Sequence, residues 1–301
     1  MAGPRVTVGL AVYNGEEFLE EALRSLLDQD FEDLEILIAD NASTDGTAAI
    51  CERMAAEDPR IRILRSEVNR GLGWNHNRTV PEARGEYFKW AAHDDRYRPT
   101  FISACVAVLD READVVLCST NTVDIDADGQ YMKSWPTNDR ASDADPAVRF
   151  RDVMYHERQC FPIYGVIRTD VLRNTVLMGS YAGSDQPLLA ELALRGRFVE
   201  LREPLFEHRE HAGRSINEFP NTRDRVVLYH PDAKGKVTFP RWRMASEYVR
   251  VIARSPVPLG IKVRATVGFG PWARMWWRPL VLGVPGGLRY AFRQRRRSRA
   301  N

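Results

Sequence analysis

The stretch VTVGLAVYNGEEFLEEALRSLLDQDFEDLEILIADNASTDGT (residues 6–47) carries the signals that decide the fold. Apolar residues alternate between Val6 and Val12, which predicts a β-strand. Apolar residues then recur at helical spacing over 18–27, and LEILIAD (34–40) is apolar almost throughout, as expected of a strand covered on both faces. A strand, a helix and a second buried strand in this order predict a parallel sheet.

The same alternation of strands and helices continues along the chain. AAICERMAAED (48–58) has the pattern of a helix, and RIRILRS (60–66) has that of a third strand. GEYFKWAA (85–92) and DVVLCS (114–119) predict two more buried strands, with the helical pattern PTFISACVAVLDREA between them. We therefore expect an α/β fold with a mostly parallel central sheet, flanked by helices and joined by right-handed crossovers.

Polar side chains stand where three of these strands end. They are Tyr13 and Asn14, Asp40 and Asn41, and His93, Asp94 and Asp95. Parallel α/β sheets bind ligands outside the carboxyl ends of their strands, so we expect these groups to converge on one site. Adjacent carboxylates suit a hard divalent cation, which takes oxygen ligands and shares them with phosphate. Alternatively, the two aspartates lie in an ordinary solvated turn and cap the next helix.

Two other motifs offer weaker functional signals. DIDADG (124–129) opens like a calcium-binding EF-hand loop, but the twelfth position is Trp135, where that loop needs a bidentate glutamate. A polar hairpin tip is the better account of these aspartates. GLG (71–73) resembles part of a dinucleotide-binding loop, but it lacks the third glycine and does not directly follow a strand. A Rossmann dehydrogenase is therefore not supported.

Charge is distributed unevenly along the 301 residues. Residues 1–247 hold 31 Lys and Arg against 41 Asp and Glu, whereas the last 54 residues hold 12 Lys and Arg and no acidic residue. The acidic body argues against nucleic-acid binding, which needs a basic docking face. We recognise no signal peptide and no run of 18 uncharged apolar residues, so we expect a cytoplasmic protein.

The C-terminal segment WARMWWRPLVLGVPGGLRYAFRQRRRSRAN (272–301) combines tryptophans with a closing arginine run. Tryptophan is favoured at bilayer interfaces, and a basic residue near an anionic surface contributes about 1 kcal/mol. Trp272, Trp276 and Trp277 thus predict peripheral association with an anionic membrane surface. A helical cap that packs these aromatic side chains on the body of the protein explains the segment equally well, and both interpretations stay open.

Taken together, four segments resemble the family 2 glycosyltransferases, which are inverting enzymes of the GT-A fold that use nucleotide-sugar donors. The segments are 6–47, NRG (69–71), GEYFKWAAHDD (85–95) and GSDQPLLAELALRG (183–196). The resemblance covers about residues 4–215. The first segment is the most specific one, because its residues occur in the family's order and spacing.

The resemblance implies a division of the chain into three parts. Residues 1–120 would form the nucleotide-sugar-binding half of a GT-A catalytic domain, and 121–215 would form the acceptor-binding half of the same domain. Residues 216–301 would add a helical, basic and aromatic-rich extension. The patterned α/β sequence gives way to looser sequence near residue 215, which agrees with this division.

Roles for individual residues also follow from the resemblance. The implied nucleotide-binding residues are Ala11, Tyr13 and Asn14 around the base, Asp40 on the uracil or thymine ring, Asn77 and Arg78 in the next helix, and Asp94 on the ribose. The implied cation ligands, for Mg²⁺ or Mn²⁺, are Asp95 and His211. Arg209, from the R-x-H element in EHREHAGRS (207–215), is implied near the diphosphate or acceptor, and Asp185 is implied as the catalytic base.

Two positions depart from the family pattern. Ala92 stands at the first position of the D-x-D-D motif, and His76 stands where many relatives have arginine. The first departure weakens the expected cation site, and the second puts phosphate contacts from that helix in doubt. A non-catalytic nucleotide-sugar binder or scaffold with a degenerate metal motif therefore remains the alternative to an enzyme.

The resemblance predicts the transfer of a sugar from a nucleoside diphosphate, with UDP or dTDP favoured, to the hydroxyl of a glycan or lipid-linked acceptor. Synthesis of a cell-envelope polysaccharide or glycolipid is the expected setting, on the cytoplasmic face of the membrane. A sugar-phosphate nucleotidyltransferase shares this type of sheet but needs a basic glycine-rich loop after the first strand. No Lys or Arg occurs between Val6 and Leu23, which disfavours that activity.

Overall fold

The computed structural model describes residues 3–137, 141–155, 160–214, 217, 225–231 and 239–277. These residues form a nine-stranded sheet flanked by helices. The strands are β1 (Val6–Val12), β2 (Leu34–Asp40), β3 (Ile61–Arg65), β4 (Tyr87–Ala91), β5 (Arg96–Tyr97), β6 (Val115–Ile125), β7 (Tyr131–Ser134), β8 (Val166–Arg168) and β9 (Arg197–Arg209).

The helices alternate with these strands and then continue beyond them. They are α1 (Leu19–Leu27), α2 (Thr47–Glu57), α3 (Leu72–Asn77), α4 (Thr79–Glu82), α5 (Phe101–Arg111), α6 (Pro146–Tyr155), α7 (Thr169–Arg173), α8 (Asp185–Arg195), α9 (Val226–Tyr229), α10 (Pro240–Arg254) and α11 (259–277). A short 3₁₀ helix covers Phe161–Tyr164. The predicted α/β fold with a helical C-terminal extension is confirmed.

The sheet has two differently built halves. Its strand order is β3-β2-β1-β4-β8-β6-β9-β5, with β7 paired to β6. β3, β2, β1 and β4 are mutually parallel, as the alternating pattern predicts. The second half is mixed, because β8 runs antiparallel to both β4 and β6, whereas β6 and β9 are parallel. The strand β6 crosses the expected boundary at residue 120, so both halves share one sheet.

Helices cover both faces of the sheet, which explains why the central strands are apolar throughout. β1, β2 and β4 are buried along their whole length. On β4, Tyr87 and Ala91 join a core that includes Leu19 of α1, whereas Phe88 and Trp90 join a second core that includes Leu188 of α8. Side chains alternate across a strand, so a strand buried on both faces needs apolar residues at consecutive positions.

Lys89 is a charged exception within β4. Its side chain is fully buried, and its ammonium group lies 3.6 Å from the centroid of the Tyr97 ring. The same group donates to the carbonyl of Tyr164 at 2.5 Å, which ties β4 to the 3₁₀ helix. Burial lowers the pKa of Lys89 well below its usual value.

The C-terminal extension packs against the acceptor-side helices. Phe150 of α6, Leu194 of α8, Tyr248 of α10 and Trp272 of α11 belong to one buried cluster. Trp272 is fully buried, so the helical-cap interpretation describes this tryptophan. Among the residues that the structure describes, none of the helices combines the length and apolar character that crossing a bilayer requires.

Candidate active site

Strand register brings the predicted polar segments to one edge of the sheet. Val12 at the end of β1 pairs with Asp40 at the end of β2, and Leu10 pairs with Ala91 of β4. The chain segments that follow these strands therefore leave the sheet side by side. A Cβ atom added at Gly15 would lie 2.4 Å from Cδ2 of His93, so only glycine allows this approach. The loop after β1 thus contacts the loop that carries Asp94 and Asp95.

The loop after β1 is also bonded to the loop after β2. Asn14 has a positive φ of 52°, and its side-chain oxygen accepts a hydrogen bond from the Thr44 amide at 2.8 Å. Its own amide donates to Ser43 Oγ at 3.0 Å. Asn14 therefore links the two loops, and α1 begins only at Leu19. Tyr13 is 44% exposed beside them, which leaves its ring available to a ligand.

Asp40 is nearly buried at the end of β2, and one of its carboxylate oxygens accepts the Ser43 amide at 3.0 Å. Arg78, the residue before α4, donates to the carbonyls of Asp40 and Leu64. These bonds join the start of α4 to the ends of β2 and β3. Ala11 is buried within β1. The structure thus places Asp40 and Ala11 at the predicted edge, with Arg78 engaged in main-chain contacts.

The helix α3 supplies structural contacts to this edge. Asn77 donates to the Met178 carbonyl at 2.7 Å and accepts the Met178 amide at 3.0 Å. His76 is buried, and burial lowers its pKa. Asn75, which the sequence did not single out, donates to the carbonyl of Ala39 at 2.7 Å. Gly71, which precedes α3, has a φ of +89°, a conformation that favours glycine.

The two adjacent aspartates have different surroundings. Asp95 is 2% exposed and accepts the Arg209 amide at 2.9 Å. Burial is the main cause that raises the pKa of Asp95, and the neighbouring Asp94 carboxylate adds to it. Burial opposes ionisation of Asp94 as well, but the 3.0 Å hydrogen bond with Nε2 of His211 and the nearby imidazoles of His93 and His211 together outweigh it and lower the pKa of Asp94. Asp94, not Asp95, therefore faces the predicted cation ligand His211.

Arg209, which was expected near the diphosphate or acceptor, is buried and bonded to protein groups. Its side chain is 1% exposed. The guanidinium group donates to Glu21 at 2.6 Å, to the Asp94 carbonyl at 2.9 Å and to the Ala127 carbonyl at 2.8 Å. Since these bonds engage all three nitrogens, Arg209 braces the loop of Asp94 against α1 and the β6–β7 turn. Glu21 carries no sequence signal beyond being an acid in a helix, so its part in this network was not predicted.

Asp185 is the first residue of α8, at the position that the resemblance implies for a base. Burial is the main cause that raises its pKa, and a hydrogen bond with the Cys160 side chain acts in the opposite direction. An acid at a helix start is favoured by the helix dipole in any protein. The raised pKa shows that burial dominates at this position.

Tyr164 ends the 3₁₀ helix, which packs against both β4 and α8. Burial is the main cause that raises the pKa of its phenol, and the negative charges of Asp95, Asp94 and Asp185 add to it. Burial and then Asp185 likewise raise the pKa of Tyr229. The 3₁₀ helix thus contacts both β4, which precedes the cation-side aspartates, and α8, which begins at Asp185, although these segments are about 90 residues apart in the sequence.

A second cluster of possible cation ligands lies on β6 and β9. Ligand atoms of Asp124, His208 and Glu210 lie within 4.8 Å of one another. Asp124 is fully buried within β6, so it is not part of the polar hairpin tip that the sequence suggested. The turn itself is confirmed, because the Gly129 amide donates to the Asp126 carbonyl at 3.0 Å.

Protein cations already compensate this second cluster. The ammonium group of Lys133 lies 3.2 Å from Asp124, and a guanidinium nitrogen of Arg214 lies 2.8 Å from Nε2 of His208. Arg214 also forms an ion pair with Glu210. A divalent cation would have to displace these charges, so Asp94 and His211 form the better candidate site among the described residues.

Comparisons with known proteins show the family and the fold. EpsH of Bacillus subtilis is 29% identical over 152 residues, which cover 50% of this chain and 41% of EpsH. The chain thus spans less than half the length of that relative. The crystal structure of S. aureus TarS 1–349 in complex with UDP is 18% identical and superposes with a TM-score of 0.62, covering 86% of this chain and 68% of that one.

A mannosyltransferase from Pyrobaculum calidifontis, in complex with GDP-Man and Mn²⁺, has the same fold. It superposes with a TM-score of 0.53 at 18% identity, over 96% of this chain and 81% of that one. Residues 7–173 match the family model described as glycosyl transferase family 2. That match spans β1 to α7, which includes the loops where the polar groups meet. On this match over more than half of its length, the chain belongs to glycosyl transferase family 2.

Proposed function

We propose that this protein transfers a sugar from a nucleoside diphosphate to an acceptor hydroxyl, with inversion at the anomeric carbon. The observation that carries the proposal is the convergence of the loops after β1, β2 and β4 at one edge of the sheet, where Asp94 contacts His211 at 3.0 Å, in a chain of glycosyl transferase family 2. Asp94 and His211 would hold the diphosphate through a cation, and Asp185 would activate the acceptor. No observation favours the non-catalytic binder, since a base-like carboxylate beside the donor site has no use in it.

The nucleoside would bind in the surface formed by the loops after β1 and β2. Tyr13 is exposed there, Asn14 joins the two loops through Ser43 and Thr44, and Asp40 accepts the Ser43 amide within the second loop. The TarS structure contains UDP and the mannosyltransferase structure contains GDP-Man, so relatives of this fold accept different bases. We favour UDP or dTDP, because a carboxylate such as Asp40 can accept the N–H of a uracil or thymine ring.

Asp94 and His211 are the residues that we propose for a Mg²⁺ or Mn²⁺ ion. Their Oδ2 and Nε2 atoms lie 3.0 Å apart, and carboxylate and imidazole ligands together suit Mn²⁺ well. This assignment replaces Asp95, whose bond to the Arg209 amide and near-complete burial suit a supporting role. A divalent cation bound there would offset the negative charge of the nucleoside diphosphate.

Asp185 would act as the general base. Its carboxylate takes the proton of the acceptor hydroxyl, and the hydroxyl oxygen forms a bond to the anomeric carbon from the face opposite the diphosphate. The bond between that carbon and the diphosphate oxygen breaks, and the nucleoside diphosphate leaves with the electron pair. A raised pKa makes Asp185 a better proton acceptor than an ordinary aspartate, provided that the pH keeps it ionised.

The Cys160→Ala substitution is expected to move the acidic limb of the kcat/KM profile to higher pH. The bond with the Cys160 side chain favours the charged carboxylate, so its loss raises the pKa of Asp185 further. Activity then falls at a higher pH, since a base must be ionised. Cys160→Ser retains a donor and should keep the limb near its original position. Profiles of the three proteins check this, and coincident Ala and wild-type limbs would contradict it.

The acceptor is proposed to be a glycan or a lipid-linked saccharide of the cell envelope. The basic C-terminal segment supports this setting, because 12 Lys and Arg with no acid in 54 residues favour an anionic membrane surface. We therefore propose that the protein works at the cytoplasmic face of a membrane, as a peripheral protein.

A donor screen by thermal shift tests the proposed function without knowledge of the acceptor. We expect a UDP- or dTDP-sugar with Mn²⁺ to raise Tm more than a GDP-sugar does, and to do so weakly without the cation. A ligand at 100 times its Kd stabilises the folded state by about 2.7 kcal/mol, which is easily measured. The bound donor should also be hydrolysed slowly. Binding without any hydrolysis would favour the non-catalytic alternative, and no shift with any donor would contradict the proposal.

A further inference from the structure

One side of α11 exposes four apolar side chains. Leu259 is 77% exposed, Val263 55%, Val267 70% and Trp277 51%. The first three are spaced by four residues, and Trp277 lies two heptads beyond Val263, so all four share one side of the helix. Isolated exposed apolar residues are ordinary on protein surfaces, but a contiguous row such as Leu259, Val263 and Val267, with Trp277 farther along the same side, is typical of a docking face. We call these four residues the α11 stripe.

The other side of α11 is fixed to the body of the protein. Ala265 and Trp272 are fully buried in the cluster with Tyr248 and Phe150, and the Trp272 ring lies 5.4 Å from that of Tyr248. Trp276 is half-buried, with the guanidinium carbon of Arg241 3.4 Å from its ring centroid. Two of the three tryptophans expected at a membrane therefore face the protein. The orientation of α11 leaves the stripe pointing outward.

Positive charge surrounds the stripe. Arg274 is exposed on the same side of α11 as Val263 and Val267, and Lys262 and Arg264 flank the row. Lys262 bonds to the Ala253 carbonyl at 2.7 Å, and Arg264 pairs with Asp145, so both are anchored at the helix surface. The sequence that follows, 278–301, adds seven arginines and no acid. An apolar row between cations is complementary to a surface with acyl chains and anionic headgroups.

The same charges disfavour other occupants of the face. A second copy of the chain would bring a like-charged α11 against this one, and like charges in an interface cost several kcal/mol. An ordinary apolar protein groove would offer no counter-charge to Lys262 and Arg274, although Arg264 already pairs with Asp145. An anionic lipid surface satisfies both features, because each basic residue near it contributes about 1 kcal/mol and apolar burial contributes about 25 cal/mol per Å².

We propose that the α11 stripe is the membrane-docking face of this protein and that it inserts shallowly into anionic bilayers. The proposal refines the peripheral location proposed above and does not depend on the transfer chemistry. It assigns docking to the exposed apolar row of α11, assisted by the basic chain that follows, in place of the tryptophan cluster that the sequence suggested.

Co-sedimentation with vesicles tests this face. The full chain is mixed with vesicles of phosphatidylcholine alone or with phosphatidylglycerol added, and the double substitution Val263→Glu/Val267→Glu is compared with Met275→Glu. Met275 is 57% exposed on α11 but lies on a different side from the stripe, which makes it a matched control. We expect the double variant to lose about tenfold or more in affinity for anionic vesicles, since each glutamate adds repulsion and removes apolar contact. Met275→Glu should bind nearly as the wild type does.

Equal binding by the double variant and the wild type would overturn the proposal, because the arginine-rich segment would then suffice. Equal loss in both variants would also overturn it, since the effect would not be specific to the stripe. Wild-type binding that is absent, or equal on neutral vesicles, would contradict an anionic docking face. An unchanged Tm of the double variant without any donor separates a docking defect from misfolding, and it keeps this test independent of the proposed transfer function.

Discussion

The Asp185→Asn substitution is expected to lower kcat for sugar transfer by about 10²–10⁴-fold, the range that a positioned general base contributes. Asparagine keeps the size of the side chain at the start of α8 but cannot accept a proton from the acceptor. Donor binding should be nearly unchanged, because the proposed donor contacts lie at the other centre, around Asp40 and Asp94. Steady-state kinetics and donor thermal shifts measure the two effects separately.

A matched control for this variant is Asp170→Asn. Asp170 stands in the first turn of α7, as Asp185 does in α8, but it is exposed. The helix dipole favours an acid at both positions, so a loss of dipole stabilisation alone would affect both variants alike. We expect the Asp170→Asn variant to have the same kcat as the wild type. Near-normal turnover by Asp185→Asn would remove Asp185 from the mechanism.

The Asp94→Asn substitution is expected to weaken cation-dependent donor binding by more than about 100-fold, since even residues that only orient metal ligands typically contribute 10–100-fold. The asparagine loses the negative charge that faces His211, while its size and shape are retained. The Mn²⁺-dependent part of the thermal shift with a UDP- or dTDP-sugar should disappear. The shift measures binding directly, so it does not require an active enzyme or an acceptor.

Asp95→Asn is the comparison that decides between the two aspartates. Its amide oxygen can still accept the Arg209 amide, so the fold should be preserved. The burial and repulsion that raise the pKa of Asp95 also make loss of its charge inexpensive. We expect this variant to keep the cation-dependent shift. A shift lost in Asp95→Asn and retained in Asp94→Asn would restore Asp95 as the cation ligand.

The first half of the fold was accessible from the sequence because its signals are local. β1, α1 and β2 each have an apolar pattern of the right period, and their order alone implies a parallel sheet. The order of β8, β6 and β9 was not accessible, because those pairings join residues far apart in the chain. A strand of three residues such as β8 also carries too few positions for a pattern.

The sequence predicted which chain segments converge on the candidate site, but it predicted the contacts of individual side chains less well. The strand ends that converge are those expected, because the topology of parallel sheets fixes where strands end. Which of the two neighbouring carboxylates contacts His211 depends on β9, because the Arg209 amide of that strand donates to Asp95. The Asn14 side chain illustrates the same limit, since its bond to the Thr44 amide joins two loops that lie far apart in the sequence. Tertiary contacts determine which hydrogen-bond partner each of these side chains has.

Tyr164 and Cys160 show what no sequence pattern revealed. Both lie in or beside the short 3₁₀ helix Phe161–Tyr164, which Lys89 holds through the Tyr164 carbonyl. A lone cysteine and a tyrosine in a turn have no periodicity, so only the folded arrangement relates them to Asp185. Lys89 on β4 is the sequence feature that comes closest to predicting this contact, because a charge in an apolar strand requires a specific partner.

Diffraction from crystals containing Mn²⁺ and UDP tests the central claim most directly, since the anomalous signal locates the cation without assumptions. The predicted result is one Mn²⁺ about 2.1 Å from an Asp94 oxygen, with the uracil beside Asp40 and the Asp185 carboxylate open to the same cleft. A cation held by Asp124, His208 and Glu210, or a nucleotide bound away from the loops after β1 and β2, would contradict the account.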